Sequence, residues 1–184
     1  EMTSSLVGSE MCIRDSAKSV EKSVAALQET GDKSLFNEVT KTDENGNKTT
    51  GYDTDAIYKA VKNFTDSYNS LIDEVGNSNT KSILRAGASM VNVTEANRKS
   101  LSDIGISIGA DNKLTIDEEK FKKADMSKVK AMFADNSYYG TEVKRQAGRA
   151  ESYAKSEAAK ANTYQKSGSY TYNYRTGELY NSTI

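Results

Sequence analysis

The 184-residue sequence contains no His, no Trp and no Pro, and it has a single Cys. It cannot form a zinc site, a Cys-His dyad or a Ser-His-Asp triad, because each of these needs an imidazole or several thiolates. The absence of Pro suits long uninterrupted helices, since Pro breaks the helical hydrogen-bond ladder. These absences favour a structural protein over an enzyme.

Large apolar residues are also scarce. Leu, Ile, Val and Phe account for 31 of the 184 residues. No apolar run approaches the roughly 18 residues that would predict a membrane-spanning helix. The net charge is −1, from 25 Lys and Arg against 26 Asp and Glu. The chain therefore lacks the basic excess of a nucleic-acid-binding protein and the high net charge of a disordered one.

Residues 10–16 read Glu-Met-Cys-Ile-Arg-Asp-Ser. Their back-translation as GAG ATG TGT ATA AGA GAC AG resembles the adapter of a transposon-based sequencing protocol. We therefore expect residues 1–16 to be a chimeric artefact, and such segments are set aside in fold reasoning. The native sequence then starts near Ser16, and a native N-terminal part is missing. The alternative is that residues 10–16 form a native loop.

Apolar residues three and four positions apart predict four longer helices, over residues 17–30, 55–75, 80–103 and 141–165. Two short helices are also predicted, one carrying Phe121 and one starting at Asp125 and carrying Val129, Met132 and Phe133. The second helix has a heptad seam of Ile57, Val61, Phe64, Tyr68, Leu71 and Val75. The seam of the third contains Ile83, Met90, Leu101 and Ile104, with polar Thr94 and Asn97 between them. Because a short loop joins these two helices, we expect an antiparallel coiled-coil hairpin in which the two seams face each other.

The last predicted helix has an Ala-rich seam, which permits close helix approach but buries little area. Its members are Val143, Ala147, Ala150, Ala154, Ala158, Ala161 and Tyr164. We expect this helix to be stable only when it is docked.

Two segments between the helices predict small β-hairpins. Near residues 39–52, Thr-rich flanks surround Asn45-Gly46, a pair that tolerates the positive φ of a tight turn. Over residues 104–116, Ile104, Ile106 and Ile108 alternate with polar residues before a turn and Leu114. The predicted fold is therefore mainly α, an elongated helical bundle with two small β-hairpins.

The predicted domain organisation is a helical rod domain over residues 17–166, into which the hairpins are inserted, followed by a Tyr-rich tail over residues 167–184. The tail carries Tyr170, Tyr172, Tyr174 and Tyr180. Because Tyr is enriched in protein interfaces, these residues could form a contact with a partner. They could equally pack back onto the bundle.

Several short patterns resemble ligand sites without matching them. Residues 76–82 lack the Gly that precedes Lys in a phosphate-binding loop. The segment that begins Asp43-x-Asn45-x-Asn47 lacks the Gly and Glu of a calcium loop. Asp111 with residues 117–119 could hold a hard cation, although a turn and a helix cap explain these acids without one. Ser19-x-x-Lys22 matches the Ser-Lys pattern of some catalytic sites, but this pattern is common by chance. We expect no cofactor, no metal and no catalytic residue.

Two regions of the sequence resemble the flagellar hook-associated protein 2 family of filament-capping proteins. The helix containing Phe64, Tyr68, Asn69 and Leu71 is similar to one helix of that family. Three ordered blocks are similar to the family's C-terminal module. They comprise Leu101, Ile104, Gly105 and Ile106, then Leu114, Ile116, Asp117 and Phe121, then Val129 and Phe133.

The resemblance implies a non-enzymatic axial protein that is exported without a cleaved signal peptide and acts outside the cell, on the bacterial flagellum. It implies self-assembly into a homo-oligomer, with flagellin or other axial proteins and an export chaperone as further partners. Neither nucleic acid binding nor membrane insertion is expected. The alternative is a stand-alone helical adaptor, cytoplasmic or on the cell surface, that reuses the same module.

Overall fold

A computed structural model of the chain describes residues 2–42, 46 and 48–161, and side chains are described from residue 8 onward, except those of residues 41 and 161. The helices are α1 (Met2–Leu27), α2 (Thr54–Gly76), α3 (Lys81–Ala96), α4 (Arg98–Asp103), α5 (Glu118–Lys123), α6 (Met126–Phe133) and α7 (Tyr138–Ala161). The strands are β1 (Glu38–Thr42), β2 (Lys48–Tyr52), β3 (Ile106–Ile108) and β4 (Leu114–Ile116). The predicted mainly α class with two small hairpins is confirmed.

The long helices form a bundle around one apolar core. Helix α1 packs against both α2 and α7, and α3 packs against α7. Helices α1 and α7 are antiparallel, since Gln28 bonds to Thr141 at one end and Lys18 pairs with Glu151 farther along. In the part of the chain that the structure describes, no helix is both long and apolar enough to span a bilayer.

The predicted face-to-face packing of α2 and α3 is only partly observed. Helix α2 packs more extensively against α1 than against α3, and α3 packs more extensively against α7 than against α2. Direct contact between α2 and α3 includes the approach of Val75 to Gly87, close to the loop that joins them. The prediction paired neighbours along the chain, whereas the bundle places α1 and α7 against these seams instead.

The single helix predicted over residues 80–103 is divided at Asn97. Its side-chain amide donates to the Val93 carbonyl at 2.8 Å, and its backbone N–H bonds to the Thr94 carbonyl. Helix α3 therefore ends at Ala96, and α4 begins at Arg98. Asn97, predicted as a polar member of the α3 seam, is instead the C-cap of α3.

Helix α1 is longer than predicted and includes residues 10–16. Ile13 lies in the core, fully buried, four positions before Ala17. An origin of residues 1–16 in adapter DNA stays a prediction, because packing does not reveal the source of a codon. The division into a rod and a tail also stays a prediction, since residues 162–184 lie outside the described part of the chain.

Both hairpins are antiparallel. In the first, Glu38 lies opposite Tyr52 and Thr42 opposite Lys48. Gly46 in the connection has φ +82°, a conformation that Gly adopts without strain. Asn45, its predicted turn partner, lies outside the described residues. In the second hairpin Ile106 lies opposite Ile116 and Ile108 opposite Leu114.

Candidate assembly module

All ten of the predicted seam residues lie in the hydrophobic core. They are Ile57, Val61, Phe64, Tyr68, Leu71 and Val75 on α2, Ile83 and Met90 on α3, Leu101 on α4, and Ile104 just after it. A heptad spacing keeps one stripe of a helix pointing inward, which explains why α2 buries every member of its seam.

Phe64 is the centre of an aromatic cluster that joins three helices. Its ring centroid lies 5.2 Å from that of Phe133 on α6 and 6.1 Å from that of Tyr139 on α7. Phe133 and Tyr139 are themselves 5.7 Å apart in an edge-on arrangement, which suits the aromatic quadrupole. The cluster ties the family-like segments around Phe64 and Phe133 to the last helix.

Sequence reasoning missed Tyr139 because it began the last helix at residue 141. A signal was present, since Tyr139 lies four positions before Val143 and so continues the Ala-rich seam backwards. Within the described residues, that seam is buried at Val143, Ala147, Ala150, Ala154 and Ala158. Ile13 was missed for a similar reason: it lies four positions before Ala17 and continues the buried stripe of α1 backwards.

Three hydroxyl groups lie inside the bundle near this cluster. Thr94 donates to the Met90 carbonyl at 3.0 Å, and its oxygen is 3.4 Å from the Tyr139 hydroxyl. The buried Tyr68 hydroxyl has no hydrogen-bond partner among the described residues. Burial raises the pKa of Tyr68 to about 12 and raises the pKa of Tyr139 further. Both phenols are therefore held neutral.

The β3–β4 hairpin is attached to α2 through the side chain of Asn69. The Asn69 amide donates to the Leu114 carbonyl at 2.8 Å, and its oxygen accepts from the Leu114 N–H at 2.7 Å. This pair of bonds reproduces what a neighbouring strand would supply to an edge strand. Lys113 adds an ion pair with Asp73 at 2.9 Å, which is solvent-exposed and contributes little.

Gly105 allows the chain to turn tightly between α4 and the hairpin. Its φ is +81°, and a Cβ there would lie 2.9 Å from the Phe121 backbone nitrogen. The Gly105 carbonyl accepts from the Asp117 N–H at 2.9 Å. Asp117 in turn caps α5 by accepting from the Lys120 N–H at 3.0 Å. These two bonds hold the start of α5 next to the residue that follows α4.

The acids that could have held a cation serve local structure instead. Asp111 accepts from the Lys113 N–H at 3.2 Å within its turn, and Asp117 is the α5 cap. Across the described residues no cluster of three or more His, Cys, Asp or Glu side chains is placed to hold a metal. In the loop that resembled a phosphate-binding loop, Ser78 accepts from the Thr80 N–H at 3.2 Å. Asn45 and the two positions that share its pattern, 43 and 47, lie outside the described residues.

Within the described part of the chain, α2, the β3–β4 hairpin, α5 and α6 pack into one unit.

Comparison with known proteins assigns most of this unit, from residue 77 onward, to a family. Residues 77–183, more than half of the chain, match the family described as "Flagellar hook-associated protein 2 C-terminus". The chain belongs to this family. No curated protein and no solved structure matches it.

The hook-associated protein 2 match includes the blocks from Leu101 to Phe133 that carried the resemblance, and it continues through α7. The similar helix at Phe64 and Asn69 precedes the matched range, yet it is the surface on which the matched hairpin docks. Family membership assigns the chain a structural role of the flagellar cap type. The candidate site is therefore a packing module, and the Tyr-rich tail lies outside the described residues.

Proposed function

We propose that this protein is a non-enzymatic subunit of a flagellar filament cap, which acts through coiled-coil helix packing and self-assembly. The observation that carries the proposal is the attachment of the family-matched hairpin to α2 through Asn69. A capping subunit must hold its shape while other subunits add beneath it. The reciprocal amide bonds and the shared aromatic core supply that rigidity.

The surface of the described residues supports contacts with other chains. Tyr138 is 71% exposed at the start of α7, and Tyr153 is 39% exposed farther along the same helix. Tyr combines a large contact area with a hydroxyl group and is enriched in interfaces. We propose Tyr170, Tyr172, Tyr174 and Tyr180 as further contact residues.

The partners follow from this role. We propose a homo-oligomer that contacts flagellin or other axial proteins, together with an export chaperone before assembly. The site of action is outside the cell, on the flagellum, after export without a cleaved signal peptide.

Binding to filament ends tests the proposal. Purified gold-labelled protein is added to preformed flagellin filaments, and the label is located by electron microscopy. We expect label at one end of each filament. Label along the sides, or no label, would contradict the capping role. Capture of another partner without end binding would favour the helical adaptor.

A matched pair of Asn variants connects this test to the module. Asn69→Ala leaves the backbone groups of Leu114 without their partner, which should lower the free energy of unfolding by about 1–3 kcal/mol and weaken end binding. Asn79→Ala changes an exposed loop residue and should leave both unchanged. If the two variants bound filament ends equally well, the attachment through Asn69 would not be needed for capping.

A further inference from the structure

The β1–β2 hairpin is the least integrated part of the described chain. The two strands make their principal contacts with each other rather than with the helices. Positions 38–40, 42 and 48–50 are all exposed, and Val39 is an exposed apolar residue. No third strand pairs with either edge among the described residues. A two-stranded ribbon is marginally stable alone, so its edges invite a further strand.

We propose that this hairpin accepts residues 169–174 of a second copy of the chain as a third strand. The inference rests on the self-assembly proposed above and names the surfaces that carry it. The segment reads Ser-Tyr-Thr-Tyr-Asn-Tyr, with Tyr170, Tyr172 and Tyr174 at every second position. It has no charge, no Gly and no Pro, and Tyr and Thr have high strand propensity.

The hairpin offers side chains that suit such a strand. Thr40 and Thr50 lie opposite each other, with their hydroxyl oxygens 3.2 Å apart. Aromatic and β-branched residues on neighbouring strands form favourable cross-strand pairs. Added strands gain affinity from backbone hydrogen bonds and specificity from alternate side chains. The face with this pair also carries Glu38 and Thr42 on β1 and Lys48 and Tyr52 on β2. A Tyr at every second position of a strand added to either edge would therefore lie beside Thr40 or Thr50.

The length of α7 indicates that the strand comes from another copy. Thr141, near the start of α7, bonds to Gln28 at the end of α1, and the hairpin follows shortly after α1. The 20 residue steps from Thr141 to Ala161 extend about 30 Å, so Ala161 lies at the far end of α7 from this contact. Eight residue steps from Ala161 to residue 169 span at most about 28 Å.

The tail of one copy would have to be almost fully extended along the bundle to reach its own hairpin, whereas a second copy can supply the segment without that constraint. Such a contact is head-to-tail: a different surface of each copy takes part. Each added copy presents a free tail or a free hairpin, so association should continue past a symmetric dimer, to a closed ring or a longer chain.

Full-length variants that remove one partner surface each test this contact. Tyr170→Ser/Tyr172→Ser/Tyr174→Ser removes the alternating rings, and Tyr170→Phe/Tyr172→Phe/Tyr174→Phe is the matched control that keeps them. Thr40→Pro/Thr50→Pro disrupts the ribbon, and Thr40→Val/Thr50→Val is the control that keeps both backbone amides. Sedimentation velocity over a concentration series measures association. Thermal melting checks that the bundle remains folded in each variant.

We expect the wild type and both controls to associate, and each disrupted variant to associate at least about tenfold more weakly. An equimolar mixture of the two disrupted variants should form dimers and nothing larger, because one retains the tail and the other the hairpin. If the triple Tyr variant associates like the wild type, or the mixture stays monomeric, this inference is overturned while self-assembly through another surface stands. A wild type that stays monomeric throughout would overturn both.

Discussion

The hydroxyl groups of Tyr68 and Tyr139 show how neighbouring residues in one core can have opposite effects. Both rings are almost fully buried, and both pack near Phe64. The Tyr139 hydroxyl lies 3.4 Å from the Thr94 oxygen. The Tyr68 hydroxyl is near enough to Thr94 for that neighbour to offset part of the pKa rise that burial causes, but it makes no hydrogen bond of normal geometry with any described group. An unpaired buried hydroxyl has lost its hydration without compensation, so its removal should help.

We predict that Tyr68→Phe leaves the free energy of unfolding at pH 7 unchanged or raises it by up to about 1 kcal/mol. Tyr139→Phe should lower it by about 1 kcal/mol, because the contact with Thr94 is lost. Urea titration followed by circular dichroism measures both. A Tyr68→Phe variant less stable than Tyr139→Phe would show that the Tyr68 hydroxyl is satisfied.

The raised pKa of Tyr68 also affects the free energy of unfolding at alkaline pH. The folded pKa of Tyr68 is raised to about 12, so its contribution to stability is complete below the unfolded pKa of about 10. That contribution is lost as pH rises from there through the folded pKa, since the unfolded chain ionises first. Tyr68→Phe should therefore make the decline of stability between about pH 10 and pH 12 shallower. An unchanged slope would contradict this assignment.

At the scale of elements, helix contacts depend on small residues at close approaches. Gly87 on α3 faces Val75 on α2, and a Cβ at Gly87 would overlap the Val75 Cγ1 atom. These two helices are neighbours in sequence, and this approach lies close to the loop that joins them. Gly148 on α7 likewise faces Glu21 on α1, where a Cβ would lie 2.6 Å from the Glu21 Oε1 atom.

We predict that Gly87→Ala lowers the free energy of unfolding by about 1–3 kcal/mol, because Val75 must move to admit the methyl group. Adding Val75→Ala should relieve the overlap, so the double variant should lose less than the two single losses together. Gly76→Ala, where a Cβ has open space, is the matched control and should not destabilise. Strict additivity of Gly87→Ala and Val75→Ala would rule out the overlap.

The contact between α1 and α7 also contains like charges. Burial raises the pKa of Glu21, and nearby Glu151 raises it further, while Lys144 and Lys18 lower it. A carboxyl group with a raised folded pKa favours the folded state only when protonated. Its favourable contribution is present below the unfolded pKa and is lost as pH rises through the folded pKa.

We therefore predict that Glu21→Gln raises the melting temperature at pH 7, and that this gain disappears below about pH 4, where the unfolded Glu is itself protonated. Glu29→Gln, at an exposed position just after α1, is the control and should have little effect at either pH. A Glu21→Gln variant that is less stable than the wild type at pH 7 would mean that the attraction to Lys18 and Lys144 dominates.

At the scale of the whole molecule, the sequence predicted the elements better than their partners. The period of Ile57, Val61 and Phe64 identified a buried stripe, because heptad spacing is a property of one helix alone. It could not reveal that α1 faces that stripe. Nor could it reveal the bonds of Asn69 to Leu114, since they join positions 45 residues apart. Exclusion of residues 10–16 also hid Ile13, whose burial depends on α7 and α2 being present.

The packing of α1 against α7 has a consequence for the time course of synthesis. A ribosome adds about 5–20 residues per second, so α7 is completed roughly 7–27 s after α1. During that interval the apolar face of α1 lacks one of its two neighbours, and closing the loop between Gln28 and Thr141 spans 113 positions. Such non-local closure is slow and leaves apolar surface exposed to other proteins. The nascent chain thus passes through a period in which a chaperone can recognise α1 before the bundle conceals it.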